Sequence, residues 1–170
     1  MKCVIKILLA ILLCIPSAGF AYRNEPNGFR DLYWGESLEE IKQNREVKYL
    51  SYTEKTNSVS YAVFLREDEP HVLSNVPIWG NGFVAVFWND KLTNIYIYFV
   101  EKDAFTDLKY SMRTLYGRPF METPTMIIWS GDSTVITLQD EKPNESPCTV
   151  HLNSSQVTLE EIKGNASRGW

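Results

Sequence analysis

The stretch FVAVFWNDKLTNIYIYF, residues 83–99, has the pattern of two strands joined by a tight turn, around which the rest of the chain is expected to be organised. From Leu92 to Phe99 apolar and polar side chains alternate with the period of two that marks a half-buried strand. The preceding run, Phe83 to Trp88, is almost wholly apolar, and the Asn and Asp between the two runs are residues that favour turns. The sequence therefore predicts a β-hairpin with one apolar face.

The register of this hairpin predicts which side chains share a face. In a hairpin with a loop of two or four residues, an odd-numbered residue pairs with an even-numbered one, and paired side chains lie on the same face. The two faces of this hairpin should therefore differ in chemistry. The face expected to lie under a helix comprises Val84, Val86, Trp88, Ile95, Ile97 and Phe99. The opposite face is expected to contain Ala85 and the candidate binding residues Phe83, Phe87, Tyr96 and Tyr98. Aromatic side chains with polar tips are favoured anchors of protein interfaces, so this face is a candidate contact surface unless another layer covers it.

A helix is predicted directly after the hairpin. Asp103 is a candidate N-cap, and Gly117 followed by Pro119 is a typical stop signal. Between them the apolar residues at helical spacing are Phe105, Leu108, Met112 and Leu115. This spacing predicts a helix over residues 104–116 whose single apolar stripe covers the aliphatic side of the hairpin.

The remaining patterns predict a second helix and more strands. Ser37 followed by Glu40 forms a capping box, which predicts a short helix after it. Strand patterns occupy residues 47–52, 58–66, 126–129, 134–138 and 148–152. The turn Ser-Gly-Asp-Ser at 130–133 joins two of these strands into a second hairpin. The predicted class is α+β, an antiparallel β-sheet with two helices packed on one face.

The N-terminus carries the pattern of a secretory signal peptide. Lys2 and Lys6 precede an apolar run that ends at Ile15, and the small residues at 17–21 fit a cleavage site. The predicted division is a signal peptide over 1–21, a single α+β domain over 22–162 and a flexible tail over 163–170. The mature protein is expected in the periplasm or outside the cell, without a membrane span.

Charge and cysteine content narrow the function classes. Without Lys2 and Lys6 the chain keeps 15 of its 17 basic residues against 21 acidic ones, a net charge of −6. Nucleic-acid binding needs a basic face and is therefore disfavoured. Cys148 is the one cysteine outside the predicted signal peptide, so no internal disulfide is expected in the mature chain. Its alternating segment, PCTVHL, predicts that it is a small residue of the core.

The sequence predicts no catalytic site, cofactor or metal. The acidic pairs Asp31 with Glu36 and Asp103 with Asp107 could supply a general acid and base, but nothing in the sequence fixes their separation. His71 and His151 are 80 positions apart and lack the spacing of zinc ligands. The acidic run at 67–69 offers oxygen ligands for calcium, but its spacing matches no calcium loop.

Four motifs carry a resemblance to known proteins: FRDLYWGESLEEI, VFWNDKLTNIYIYF, LKYSMRTLYGRP and MIIWSGDSTVITL. With them the chain resembles a group of small exported, periplasmic bacterial proteins of unassigned function that begin with an FRxxxWG motif. It is more weakly similar to outer-membrane assembly and inhibitor-type domains, in which helices pack on one face of an antiparallel sheet. The resemblance implies a bacterial envelope protein and brings no catalytic residue. We therefore expect a non-catalytic protein-binding module; an inhibitor of a secreted hydrolase and a hydrolase with an unrecognised carboxylate site are the alternatives.

Overall fold

The computed structural model describes residues 22–44, 48–56, 59–65, 72–73, 76–78, 82–101, 103–140 and 148–157. The predicted signal peptide, the predicted tail, the acidic run at 67–69 and His71 lie outside these residues. Within them the helices are α1 (Leu38–Asn44) and α2 (Ala104–Tyr116). The strands are β1 (Gly28–Phe29), β2 (Leu32–Tyr33), β3 (Lys48–Thr56), β4 (Val59–Leu65), β5 (Val72–Leu73), β6 (Val76–Pro77), β7 (Gly82–Trp88), β8 (Lys91–Phe99), β9 (Met121–Glu122), β10 (Met126–Ser130), β11 (Thr134–Asp140) and β12 (Cys148–Ser154).

The centre of the described fold is an antiparallel sheet of eight strands in the order β3-β4-β7-β8-β12-β11-β10-β9. Two small sheets, β1-β2 and β5-β6, lie beside it. The predicted α+β class with an antiparallel sheet is therefore confirmed. In the part of the chain that the structure describes, no helix has the length and hydrophobicity needed to cross a membrane.

The β7–β8 hairpin forms as predicted, but a bulge changes its register. Asn89 and Asp90 have φ values of 47° and 65°, the left-handed backbone of a two-residue hairpin turn. Phe87 pairs with Leu92, an odd-numbered residue with an even-numbered one, as expected. The next pair is Val86 with Asn94, so one extra residue, Thr93, lies in β8. A single-residue bulge moves all later side chains of a strand to the other face relative to its partner.

The predicted grouping of side chains is therefore wrong for β7. Phe83 and Phe87, both expected on the open aromatic face, are 4% and 0% exposed in the core. Val84 instead pairs with Tyr96 and shares its face. Thr93 is also buried, and its hydroxyl donates a 3.0 Å hydrogen bond to the carbonyl oxygen of Val86. This bond satisfies the polar side chain that the bulge turns inward.

One face of the large sheet, called the core face, carries the buried side chains. Its fully buried members include Phe64, Phe87, Leu92, Ile95, Ile97, Phe99, Ile127, Trp129, Ile136 and Leu138. Cys148 is buried as well, in agreement with its predicted place in the core. At about 1.5–3 kcal/mol for each large side chain removed from water, this face is the main source of stability.

Both predicted helices form, and their ends follow the expected signals. The Ser37 amide donates to Glu40 Oε2 (2.8 Å) and the Glu40 amide to Ser37 Oγ (3.2 Å), which is the predicted capping box. Asp103 precedes α2 but its side chain makes no capping hydrogen bond. Gly117 ends α2 with φ 82°, and its amide donates to the carbonyl oxygen of Arg113.

The position of α2 differs from the prediction. Its principal contacts are with β11 and β6 rather than with the β7–β8 hairpin. Leu108 and Met112 are buried as expected, but Leu115 is 46% exposed. The helix thus also reaches β11, which the strand order β8-β12-β11 places beyond β12, a long-range feature that the local pattern does not contain.

Candidate binding surface on the outer face of the sheet

The face of the large sheet opposite the core face is called the outer face here. Along β8 it carries Asn94, Tyr96 and Tyr98, which alternate with the buried residues Ile95 and Ile97. Strand pairing aligns side chains of neighbouring strands into rows. One row is Val63, Val84, Tyr96, His151 and Thr137, and the next is Tyr61, Val86, Asn94, Asn153 and Val135. The outer face therefore brings together residues that are far apart in the sequence.

The rings of Tyr96 and His151 lie directly against each other. Their centroids are 4.2 Å apart and their planes differ by 6°. This stacking follows from the register, because the two residues are partners across β8 and β12. Such aromatic pairs add about 0.5–1.5 kcal/mol beyond the area they bury.

The surroundings of His151 favour its neutral form. The amide nitrogen of Asn94 lies 3.1 Å from His151 Nε2 and donates to Asn153 Oδ1 at 2.9 Å. An amide nitrogen only donates, so the contact with Nε2 is a hydrogen bond in the tautomer whose Nε2 carries no proton. Burial lowers the pKa of His151, which favours the neutral imidazole near pH 7.

Three tyrosines, Tyr61, Tyr96 and Tyr98, form what we call the tyrosine patch. Burial raises the pKa of Tyr96, and the nearby hydroxyls of Tyr98 and then Tyr61 raise it further. Tyr61 is 42% exposed, and the other two are half-buried. A tyrosine hydroxyl can donate and accept hydrogen bonds, while the ring faces offer apolar area.

The apolar neighbours of the patch come from β4 and β7. Val59 and Val63 of β4 and Val84 of β7 are partly exposed on the same face, whereas the alternate residues Ser60 and Ala62 point into the core. Val59 and Val63 of β4 therefore lie on the outer face, whereas Phe64 lies in the core. A face that combines valines with tyrosines suits contact with a protein surface.

The carboxylates considered as catalytic candidates belong to segments other than the strands of the large sheet. Glu36 follows β2, and its carboxylate accepts a hydrogen bond from the Tyr33 amide at 2.8 Å. Asp103 and Asp107 flank the start of α2, where the Asp107 amide donates to the Asp103 carbonyl oxygen. Among the described residues, no cluster of three or more His, Cys, Asp and Glu side chains could hold a metal ion.

Of the four predicted site residues, the structure unites two. Tyr96 and Tyr98 share the outer face, whereas Phe83 and Phe87 belong to the core. The prediction missed Tyr61 and the group formed by His151, Asn94 and Asn153. The alternation of PCTVHL could have shown that His151 faces away from Cys148 and Val150. Its position next to Tyr96 depends on the pairing of β12 with β8, which local sequence does not specify.

Comparisons of this chain with protein-family models, with curated proteins and with solved structures found no match. The function must therefore be inferred from the geometry of the chain itself.

Proposed function

We propose that this protein is a non-catalytic binding module of the bacterial cell envelope that holds a protein partner against the tyrosine patch. The observation that carries the proposal is the position of Tyr61, Tyr96 and Tyr98 on the face of the sheet opposite the core. Tyrosine gives a large contact area with only two rotatable side-chain bonds, so little entropy is lost when it is fixed at an interface.

The Tyr96–His151 pair supports the same proposal because it is already ordered. Stacking on Tyr96 and the contact with Asn94 hold the imidazole in one orientation. A rigid aromatic pair can meet a partner without a further ordering cost, which is the general benefit of preorganisation. The neutral imidazole also removes a charge that would oppose burial at an interface.

We infer that both helices pack on the core face, which leaves them away from the tyrosine patch. Leu38 and Ile41 of α1 and Leu108 and Met112 of α2 belong to the same hydrophobic cluster as the core face. One continuous cluster is the expected result when helices share one side of a sheet.

The location in the envelope rests on the sequence. The predicted signal peptide favours export, and the resemblance to small exported bacterial proteins favours the periplasm or the extracellular space. The partner would then be a protein of the envelope or a secreted protein. Inhibition of a secreted hydrolase is one form that such binding could take.

Site-specific photo-crosslinking in cells tests the proposal. A benzoylphenylalanine at Tyr61, at the exposed side of the patch, should form a covalent adduct with the partner. The double variant Tyr96→Ala with Tyr98→Ala should weaken capture by about 30-fold or more, since hot-spot residues contribute about 2 kcal/mol or more. Its melting temperature should fall less than that of a core variant, because both side chains keep part of their surface in contact with solvent.

Tyr33 and Tyr110, which are 51% and 65% exposed elsewhere on the surface, provide the matched control. The double variant Tyr33→Ala with Tyr110→Ala should leave the adduct intact. Capture that survives the patch variant, or is lost equally in both variants, would contradict the proposal. A large loss of stability in the patch variant would show that the tyrosines serve the fold. If the captured protein is a hydrolase, its activity with and without this chain distinguishes inhibition from simple binding.

A further inference from the structure

The outer face of the large sheet extends well beyond the tyrosine patch. The row that runs from Val63 of β4 to Thr137 of β11 continues through Ile128 of β10 to Met121 of β9, because these residues are paired across the strands. Tyr61 and Met121 are 42% and 37% exposed, and Val63 and Ile128 are partly exposed. Apolar and aromatic side chains on the outer face therefore reach from β4 to β9.

The outer face is almost free of formal charge. Among its described positions in the strands from β4 to β9, Lys91, beside the β7–β8 turn, is the one Lys, Arg, Asp or Glu. Charged residues make up 22% of the chain, and a surface in contact with water is usually at least as rich in them. A large surface depleted of charge is typical of one that another protein covers.

The size of the outer face matches a dimer interface. Six neighbouring strands contribute to it, namely β4, β7, β8, β12, β11 and β10, and most of them have seven residues. With strands about 4.8 Å apart and residues about 3.4 Å apart, they cover about 29 by 24 Å, or about 700 Å². Specific interfaces bury about 600–1,000 Å² on each partner. The outer face is therefore large enough to hold two chains together.

We propose that a second copy of this chain covers the outer face, so that the two sheets pack face to face as in a β-sandwich. In a two-fold dimer the residues near the axis meet their own copies, so a charge there would face an equal charge. A face without charges avoids this repulsion, and it offers an unrelated partner no charge to complement. Homodimer interfaces are also more apolar than interfaces between proteins that associate only transiently.

This inference rests on the proposed function, because it names the partner that contacts the tyrosine patch. Tyr96 lies on one of the two central strands and His151 on the other, so their stacked rings would lie near the middle of the interface. Burial within the single chain already lowers the pKa of His151. A neutral imidazole can be enclosed between two sheets without burying an unpaired charge.

Sedimentation equilibrium of the protein, in the form that the producing cell processes, tests the proposal and should give the mass of two chains. Thr137→Glu places a carboxylate on the outer face next to His151. It should raise the dissociation constant of the dimer about 100-fold or more, because each copy would bury an unpaired charge. Thr106→Glu makes the same exchange at an exposed position of α2 and should leave the constant unchanged.

Maleimide labelling of Val84→Cys in a Cys148→Ala background gives a second readout, which decides the outcome should Thr137→Glu not fold. Val84 lies on the outer face, beside Tyr96. In dilute solution the monomer predominates and position 84 should react readily. As the protein concentration rises, the labelling rate should fall in proportion to the fraction of monomer, because mass action favours the dimer.

Three results would overturn the inference. These are a monomer at every concentration, a dimer that Thr137→Glu and Thr106→Glu affect equally, and slow labelling at position 84 even in dilute solution, which would mean that the chain covers its own outer face. A monomer that still crosslinks through position 61 to a different protein would overturn this inference and leave the proposed function standing. A monomer without any adduct would overturn both.

Discussion

The two faces of strand β8 differ in what they contribute to the molecule. On the core face Ile95, Ile97 and Phe99 are fully buried, and on the outer face Tyr96 and Tyr98 remain partly exposed. Neighbouring residues of one strand therefore differ in their role, since the core face provides stability and the outer face carries the proposed contact surface. The same contrast in β7 follows from the bulge at Thr93, beyond which Ala85 pairs with Ile95 in the core and Val86 pairs with Asn94 on the outer face.

The largest expected effect comes from removing a core-face side chain of β7. Phe87→Ala should lower the free energy of unfolding by about 3–5 kcal/mol, because a fully buried ring leaves a cavity. Val84→Ala, on the outer face of the same strand, should cost less than about 1 kcal/mol. Urea unfolding of the two variants measures the difference. Equal losses would mean that the two faces of β7 are not distinguished as described.

A smaller effect is expected from the bulge itself. Thr93→Val keeps the shape of the buried side chain but removes its hydrogen bond to the Val86 carbonyl oxygen. The free energy of unfolding should fall by about 0.5–1.5 kcal/mol. Thr137→Val, a partly exposed outer-face position next to His151, is the control and should change stability less. A Thr93→Val protein as stable as the parent would show that the hydroxyl does not support the bulge.

The smallest effect concerns the pH dependence of stability on the outer face. Burial lowers the pKa of His151 below 6.5, so the folded state binds this proton less readily than the unfolded chain. Near neutral pH both states hold a neutral imidazole and no stability is lost. As the pH falls through about 6.5, protonation of the unfolded chain takes stability away.

Thermal unfolding at about pH 7.5 and about pH 5.5 measures this effect. In a His71→Gln background, which leaves His151 as the one histidine, His151→Gln should reduce the loss of melting temperature on acidification. An unchanged loss would mean that His151 is not held neutral by its surroundings.

Local signals in the sequence were sufficient for both helices and the main strands, but not for the short strands β5, β6 and β9. The apolar stripe and Gly117 gave α2 its bounds, and the turn at 130–133 gave the β10–β11 hairpin, in which Trp129 pairs with Ile136. These features depend on residues that are close in the chain. The bulge was not predictable in this way, since Thr93 looks like any other member of an alternating strand.

The candidate surface was predicted only in part for a related reason. Tyr96 and Tyr98 lie on the expected face because alternation within β8 decides it. Phe83 and Phe87 were assigned to the wrong face, because the bulge at Thr93 shifts the alternation of β7 by one residue relative to the part of β8 that follows Thr93. Tyr61 and His151 join the surface through pairings of β4 with β7 and of β12 with β8, which depend on the whole sheet.

Cysteine labelling at two adjacent positions of β7 measures which side chain of this strand faces the core. In a chain without residues 1–21 and with Cys148→Ala, Phe83→Cys and Val84→Cys are each treated with a maleimide under native conditions. We expect Val84→Cys to react readily and Phe83→Cys to react only when the protein is unfolded, because Phe83 is a core residue. Rapid labelling at position 83 with protection at 84 would contradict the register, and protection at both would show that the outer face is covered.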